Sequence, residues 1–295
     1  MPFLQVTFEV GEADPETAEE ACFAAGALSV TLADAADEPV LEPAPGTTPL
    51  WRQVRVSALF PAETDAAAVT ALLAASLGLP PPGITHETLA DRPWEREWLK
   101  DFRPMRFGRR LWICPGGQRA PDPDAAVLEL DPGLAFGTGT HPTTALCLEW
   151  LDGAGIEGQS VLDYGCGSGV LALAALRLGA ASACAVDIDP QALLATSENA
   201  ARNGLQPRLT VMPAAELGTG EWDVLLANIL AGPLVELAPS LARHARPGGA
   251  IVLAGMLEEQ AEGVAQAYRP WFHMRMFATR DGWAVLEGRR ITTPG

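Results

Sequence analysis

Between Val161 and Gly169 the chain reads Val-Leu-Asp-Tyr-Gly-Cys-Gly-Ser-Gly, an apolar strand turning through Gly165, Gly167 and Gly169 into a helix. Glycine lacks a Cβ, so the backbone can turn tightly and a ligand can approach it closely. The amino terminus of the following helix offers N–H groups that have no partner within the helix. Such a turn can also be purely structural, and spacing narrows the choice. The dinucleotide pattern G-x-G-x-x-G would need a third glycine where Val170 stands, and no Lys or Arg lies between Asp163 and Gly169 to neutralise a pyrophosphate. Asp187 follows Gly165 by 22 residues, at the end of the next apolar segment. A carboxylate in that place is a good acceptor for two vicinal hydroxyls. Asp189, followed by Pro190, instead suits the cap of the next helix.

Three alternate glycines with an acid at this distance resemble the first two motifs of class I S-adenosylmethionine-dependent methyltransferases. The resemblance implies that the loop carrying Gly165 and Gly167 packs against the methionine part of the cofactor, and that Asp187 takes both ribose hydroxyls. A third feature, Leu225-Leu226-Ala227-Asn228-Ile229-Leu230-Ala231, is an apolar strand ending in one polar residue. In many amino-group methyltransferases this position carries Asn or Asp, then Pro-Pro and an aromatic, and the side-chain oxygen accepts the N–H of the attacked nitrogen. Asn228 keeps the polar position, but Ile229-Leu230-Ala231 replaces the rest. The missing aromatic removes a stacking platform for a planar base, whereas an aliphatic amine needs none. The alternative is an Asn that simply turns the chain after the strand.

Upstream, the stretch from Asp131 to Thr144 is dense in glycine and hydroxyl residues and leads into a helix with apolar spacing at Leu146, Leu148 and Leu151. A flexible lid or a wall of the cofactor site fits. His141 invites the role of general base, but no Ser or Cys stands at triad spacing, and helix entry with hydrogen bonding inside the loop is the reading preferred. No general base is assigned.

Taken together, Asp131 to Thr144, the Gly165–Gly169 loop, Asp187-Ile188-Asp189-Pro190, the run from Asn228 to Leu234 and Trp94-Glu95-Arg96-Glu97-Trp98 resemble the ribosomal protein L11 methyltransferase family from Met1 to about Glu287. The resemblance implies an amino-terminal recognition domain, a flexible linker and a carboxyl-terminal catalytic domain. It also implies methylation of lysine ε-amino groups and of the amino terminus of the ribosomal protein. The family's cofactor contacts fall on Thr144, Gly165, Asp187 and Asn228.

The elements that must position these residues are legible in outline. Leu4, Val6, Phe8 and Val10 alternate with polar residues as a half-buried strand, and Asp14 with Pro15 starts a helix. Strands through Leu28–Leu32 and Val54–Ala58, a helix from Glu63 to Leu77 and a last strand over 84–89 follow, with a Pro-rich loop at 38–49. That β-α-β-β-α-β order is a split βαβ, ferredoxin-like α+β domain over residues 1–91. Residues 92–110 are expected to form a linker helix (93–102) and connector, holding seven bases and three acids. From Ser160 onward apolar strands alternate with helices, and residues 111–295 form a doubly wound, Rossmann-like α/β domain whose ligand site lies at the carboxyl ends of the strands.

Charge and composition bound the partners. The formal net charge is −17, with 14 acids and two bases (Arg52, Arg55) in residues 1–91 and 23 acids and 18 bases in the rest. So acidic a chain disfavours a direct nucleic-acid substrate and suits a basic protein captured by the first domain. Five cysteines without a C-x-x-C pair argue against zinc or a disulfide framework. No apolar run of membrane-span length occurs, since Val170–Val186 carries Arg177, and Met1–Val10 lacks signal-peptide character. A cytoplasmic, monomeric enzyme with no metal is expected. The competing readings are a nucleic-acid methyltransferase, a nicotinamide oxidoreductase and a non-catalytic assembly factor built on the same fold.

Overall fold

The structure, a computed structural model, describes residues 2–10, 14–36, 51–80, 83–89, 103–130 and 141–292. It comprises two compact units, Met1–Glu97 and Trp98–Gly295. The first contains β1 (Phe3–Val10), α1 (Pro15–Ala24), β2 (Ser29–Asp34), β3 (Val54–Pro61), α2 (Ala66–Leu77) and β4 (Thr85–Leu89). Its strands lie in the order β2-β3-β1-β4, and every neighbouring pair is antiparallel. Strand alternation puts Leu4, Val6, Phe8 and Val10 on one face with Val54, Val56, Ala58 and Phe60. That face is buried, and Ala18 and Cys22 of α1 with Val69 and Leu73 of α2 complete the cluster. Asp14 caps α1 and Pro15 occupies its first turn. The second helix begins at Ala66 rather than at Glu63, because the Asp65 carboxylate accepts hydrogen bonds from the N–H groups of Ala67 and Ala68 and so sits outside the helix as its cap. Gly78 ends that helix in the left-handed region, φ 66°. The Pro-rich stretch at 38–49 lies outside the described residues.

The second unit opens with three short strands, β5 (Met105–Phe107), β6 (Leu111–Cys114) and β7 (Ala126–Glu129). β5 runs antiparallel to β6, and β6 parallel to β7, in a small sheet. Met105–Phe107 falls within the stretch expected to be connector (92–110); here it is a strand of the second unit, because Phe107, Leu111, Ile113 and Leu128 find a common buried core. The helix expected over 93–102 lies outside the described residues. There follow α3 (Pro142–Gly153), β8 (Ser160–Tyr164), α4 (Val170–Arg177), β9 (Ser182–Asp187), α5 (Pro190–Arg202), β10 (Leu209–Pro213), β11 (Trp222–Asn228), α6 (Ala231–His244), β12 (Ala245–Leu257), α7 (Ala261–Tyr268), β13 (Phe272–Arg280) and β14 (Trp283–Arg290).

The large sheet has the order β10-β9-β8-β11-β12-β14-β13, parallel from β10 to β12 and antiparallel for the last two. Residues of α3, α4 and α5 share one buried cluster with Val161, Val224 and Leu226, while α6 and α7 share another with Leu162, Leu225 and Ile251. Helices thus cover both faces, the arrangement of an α/β doubly wound domain. Strand order reverses between β8 and β11, and a crevice opens at the carboxyl ends of strands at such a point. Register pairs Tyr164 with Val186 on one side and with Ala227 on the other, which sets Gly165, Asp187 and Asn228 along one edge. No helix among the described residues is long and apolar enough to cross a membrane.

Candidate functional site

The glycine loop is held by the end of β9. Val186 O accepts hydrogen bonds from Gly165 N (2.8 Å) and Cys166 N (3.0 Å), and Asp187 Oδ2 accepts from Gly167 N at 2.9 Å. Asp187 Oδ1 accepts from Asp189 N at 3.0 Å. Each carboxylate oxygen therefore has one backbone donor and retains a lone pair for a further hydroxyl. Asp189 accepts from Gln191 N and caps α5 ahead of Pro190, the role its sequence context suggested. Gly165, Gly167 and Gly169 all have positive φ (79°, 54° and 79°), a conformation that a side chain would strain. At Gly165 there is a second reason: a Cβ would overlap Ile229 Cγ2, so the loop and the segment after Asn228 touch.

On the other side of the site, Asn228 at the end of β11 donates from Nδ2 to Thr144 Oγ1 at 3.2 Å. Thr144 is 1% exposed, in the first turn of α3, so this bond fixes the amide and sets its Oδ1 at the opposite end. Ile229 N donates to Ala254 O, and Gly255, at φ 89°, packs on the Ile229 backbone where a Cβ would not fit. Asn228 therefore does more than turn the chain: it ties β11 to α3. His141 is the cap of α3, its Nδ1 accepting from Thr143 N (3.4 Å) with Thr143 Oγ1 at 2.7 Å. Its ring meets Trp283 edge-on, 4.7 Å between centroids, and partial burial lowers its pKa, so the imidazole is neutral at pH 7. Residues 131–140, read as a lid or wall, lie outside the described residues.

The cradle fits S-adenosylmethionine. Asp187 supplies a hydroxyl acceptor beside a loop whose glycines permit close approach, and the loop has no cation for a pyrophosphate. Among the described residues no group of His, Cys, Asp or Glu is placed to hold a metal.

Three residues near the site were not singled out by sequence reasoning. Asp163, one residue before the loop's Tyr164, is 1% exposed, and Oδ2 accepts from Ala172 N at 3.0 Å. Thr196 and Asn199 of α5 are equally buried and reach the loop carbonyls. A hydroxyl and an amide three residues apart in a helix of mixed apolar and polar residues carry no local signal of what they touch; only the buried face of α5 shows it.

A family model described as ribosomal protein L11 methyltransferase (PrmA) matches residues 2–291. The chain belongs to the ribosomal protein L11 methyltransferase family. As a member of that family it is a methyltransferase, with S-adenosylmethionine as its cofactor. The L11 methyltransferase of Pseudomonas paraeruginosa is 55% identical over 291 residues, covering 98% of this chain and 99% of that protein. That of Methylococcus capsulatus is 54% identical over 290 residues, with the same coverage. Among solved structures, the ribosomal protein L11 methylase of Lactobacillus delbrueckii subsp. bulgaricus superposes with a TM-score of 0.60 at 32% identity, covering 65% of this chain and all of that one.

Proposed function

We propose that this protein transfers methyl groups from S-adenosylmethionine to lysine ε-amino and amino-terminal α-amino groups of ribosomal protein L11. The observation that carries the reading is the Asn228–Thr144 hydrogen bond at the edge beside the glycine loop. It fixes an amide whose carbonyl end is left to accept an amine N–H.

When bound, S-adenosylmethionine supplies a methyl group on a sulfonium, itself a good leaving group. Gly165, Gly167 and Asp187 hold the cofactor, with Thr144 and Asn228 closing the site. Asn228 Oδ1 accepts a hydrogen of the incoming amine and aims the nitrogen lone pair, and alignment of this kind is worth several kcal/mol. The amine must be neutral, although a free lysine has a pKa of about 10.4 and an α-amine about 8. Apolar neighbours such as Ile229 disfavour the ammonium form and lower that pKa. Water takes the released proton, and His141, engaged as the cap of α3, is not needed as a base.

Residues 1–91 form the recognition domain, a ferredoxin-like fold supported by its β-α-β-β-α-β order and antiparallel sheet. Their 14 acids against two bases suit a basic protein rather than a nucleic acid. Residues 92–110 join them to the catalytic domain, 111–295. The enzyme acts as a monomer, and in the cytoplasm, the latter supported by five buried cysteines that are all free.

Asn228→Ala tests the site. Methylation of L11 at saturating cofactor should fall about 100-fold, measured by mass spectrometry of the product, while calorimetry still detects cofactor binding through the loop and Asp187. Unchanged turnover would remove Asn228 from the mechanism.

A further inference from the structure

Two buried side chains on α5 grip the glycine loop from behind. Thr196, 0% exposed, donates from Oγ1 to Gly167 O at 3.0 Å. Asn199, 2% exposed, donates from Nδ2 to Ser168 O, also at 3.0 Å. Successive peptide planes of the loop are thus pinned by their carbonyls to one helix. A trans peptide holds its N–H opposite its C=O, so fixing the Gly167 carbonyl toward α5 also fixes the Ser168 N–H away from it.

Each grip is itself oriented. Arg202 Nη1 donates to Asn199 Oδ1 at 2.7 Å, which settles which end of the amide faces the loop. Cys166 Sγ lies 3.4 Å from Thr196 Oγ1. Because the one hydroxyl hydrogen goes to Gly167 O, the thiol is the donor. Gly169 has φ 79°, and a Cβ there would collide with the Thr196 side chain, so loop and helix have no slack between them. The same helix starts at the Asp189 cap, whose N–H donates to Asp187. Helix α5 therefore sets both the loop and the acid that Gly167 N–H contacts.

We infer that Thr196 and Asn199 are positioning residues for the cofactor: they hold the Gly167 and Ser168 peptides in the orientation the cofactor requires. The inference rests on the loop and Asp187 being the cofactor site. Its predicted effect lies on cofactor affinity and not on the chemical step, since neither side chain faces the reacting amine.

The test is calorimetric titration of the full chain with S-adenosylhomocysteine, alongside kcat at saturating cofactor and the melting temperature. Thr196→Val, which keeps the shape and removes the donor, should weaken binding about five- to tenfold with kcat within about twofold of wild type. Thr196→Ser, which restores the hydroxyl, should bring the affinity back to within about twofold. Asn199→Asp, nearly isosteric but without the amide donor, should weaken binding to a similar degree and stands in if Thr196→Val fails to fold. A lower melting temperature with unchanged affinity in the folded variants, or no recovery with Thr196→Ser, would overturn the inference. Wild-type protein that bound no S-adenosylhomocysteine would overturn the site reading together with it.

Discussion

Asp163 shows how much one buried group can govern. Burial, with a smaller contribution from the charge of Asp187, pushes its carboxyl up to about 7 against the opposing hydrogen bond from Ala172 N–H. Among the described residues Oδ1 has no hydrogen-bond partner. The folded state therefore holds this proton where the unfolded chain, with a carboxyl pKa of about 3.9, releases it. Stability contributed by this residue is present below pH 4, is lost as pH rises from about 4 to about 7, and changes no further above that range. Asp163→Asn should remove that part of the slope. Urea denaturation of both proteins at pH 5 and pH 7.5 measures it: the wild type should lose more stability across the interval, and equal losses would show that Asp163 is not the titrating group. Gly165 is the opposite kind of residue, required for what it lacks, since both its φ and the contact with Ile229 exclude a side chain.

Elements are joined by polar clamps as much as by apolar packing. Asp152, in the last turn of α3, accepts from three consecutive backbone N–H groups, Arg109 (2.6 Å), Arg110 (3.1 Å) and Leu111 (3.1 Å). The turn between β5 and β6 thereby closes on the helix, and Gly108, at φ 68°, is pressed so near Asp152 that no Cβ would fit. Asp152→Ala leaves these donors unpaired and should cost about 2–4 kcal/mol in urea denaturation. A loss below about 0.5 kcal/mol would mean that water satisfies the turn equally well. At the amino ends of β8 and β11 Asp223 does similar work, accepting from Ser160 N and Oγ and pairing with Arg246. Both clamps link residues far apart in the chain, which explains why strand periodicity reveals β8 and β11 but not what holds them in register.

At the scale of the molecule, charge is divided unevenly between the two units, each with its own core. In the proposed function the acidic residues of 1–91 attract a basic substrate at long range and are screened by salt, whereas the loop and Asp187 hold the cofactor through short hydrogen bonds. Raising sodium chloride from about 50 to about 500 mM should therefore raise KM for ribosomal protein L11 several-fold. Over the same range the affinity for S-adenosylhomocysteine should change by less than about twofold. Steady-state kinetics and calorimetry read the two quantities separately, and a KM indifferent to salt would remove electrostatic capture from the proposal.

Local chemistry alone determined the caps at Asp14 and Asp189, the glycine turn after Tyr164, the alternation of strand and helix after Ser160, and the acid and amide that close their strands. These depend on neighbours within a few residues, where propensity and spacing act. Strands β5 to β7 escaped notice because segments of three or four residues are too short to show a period. Tertiary structure decided what lies across from what: Thr144 against Asn228, Gly167 N–H on Asp187, Thr196 and Asn199 on the loop carbonyls. Those partners are 20 to 84 residues apart, and which of many equivalent hydroxyls and amides ends up buried against a given carbonyl is set only when the helices pack onto the sheet.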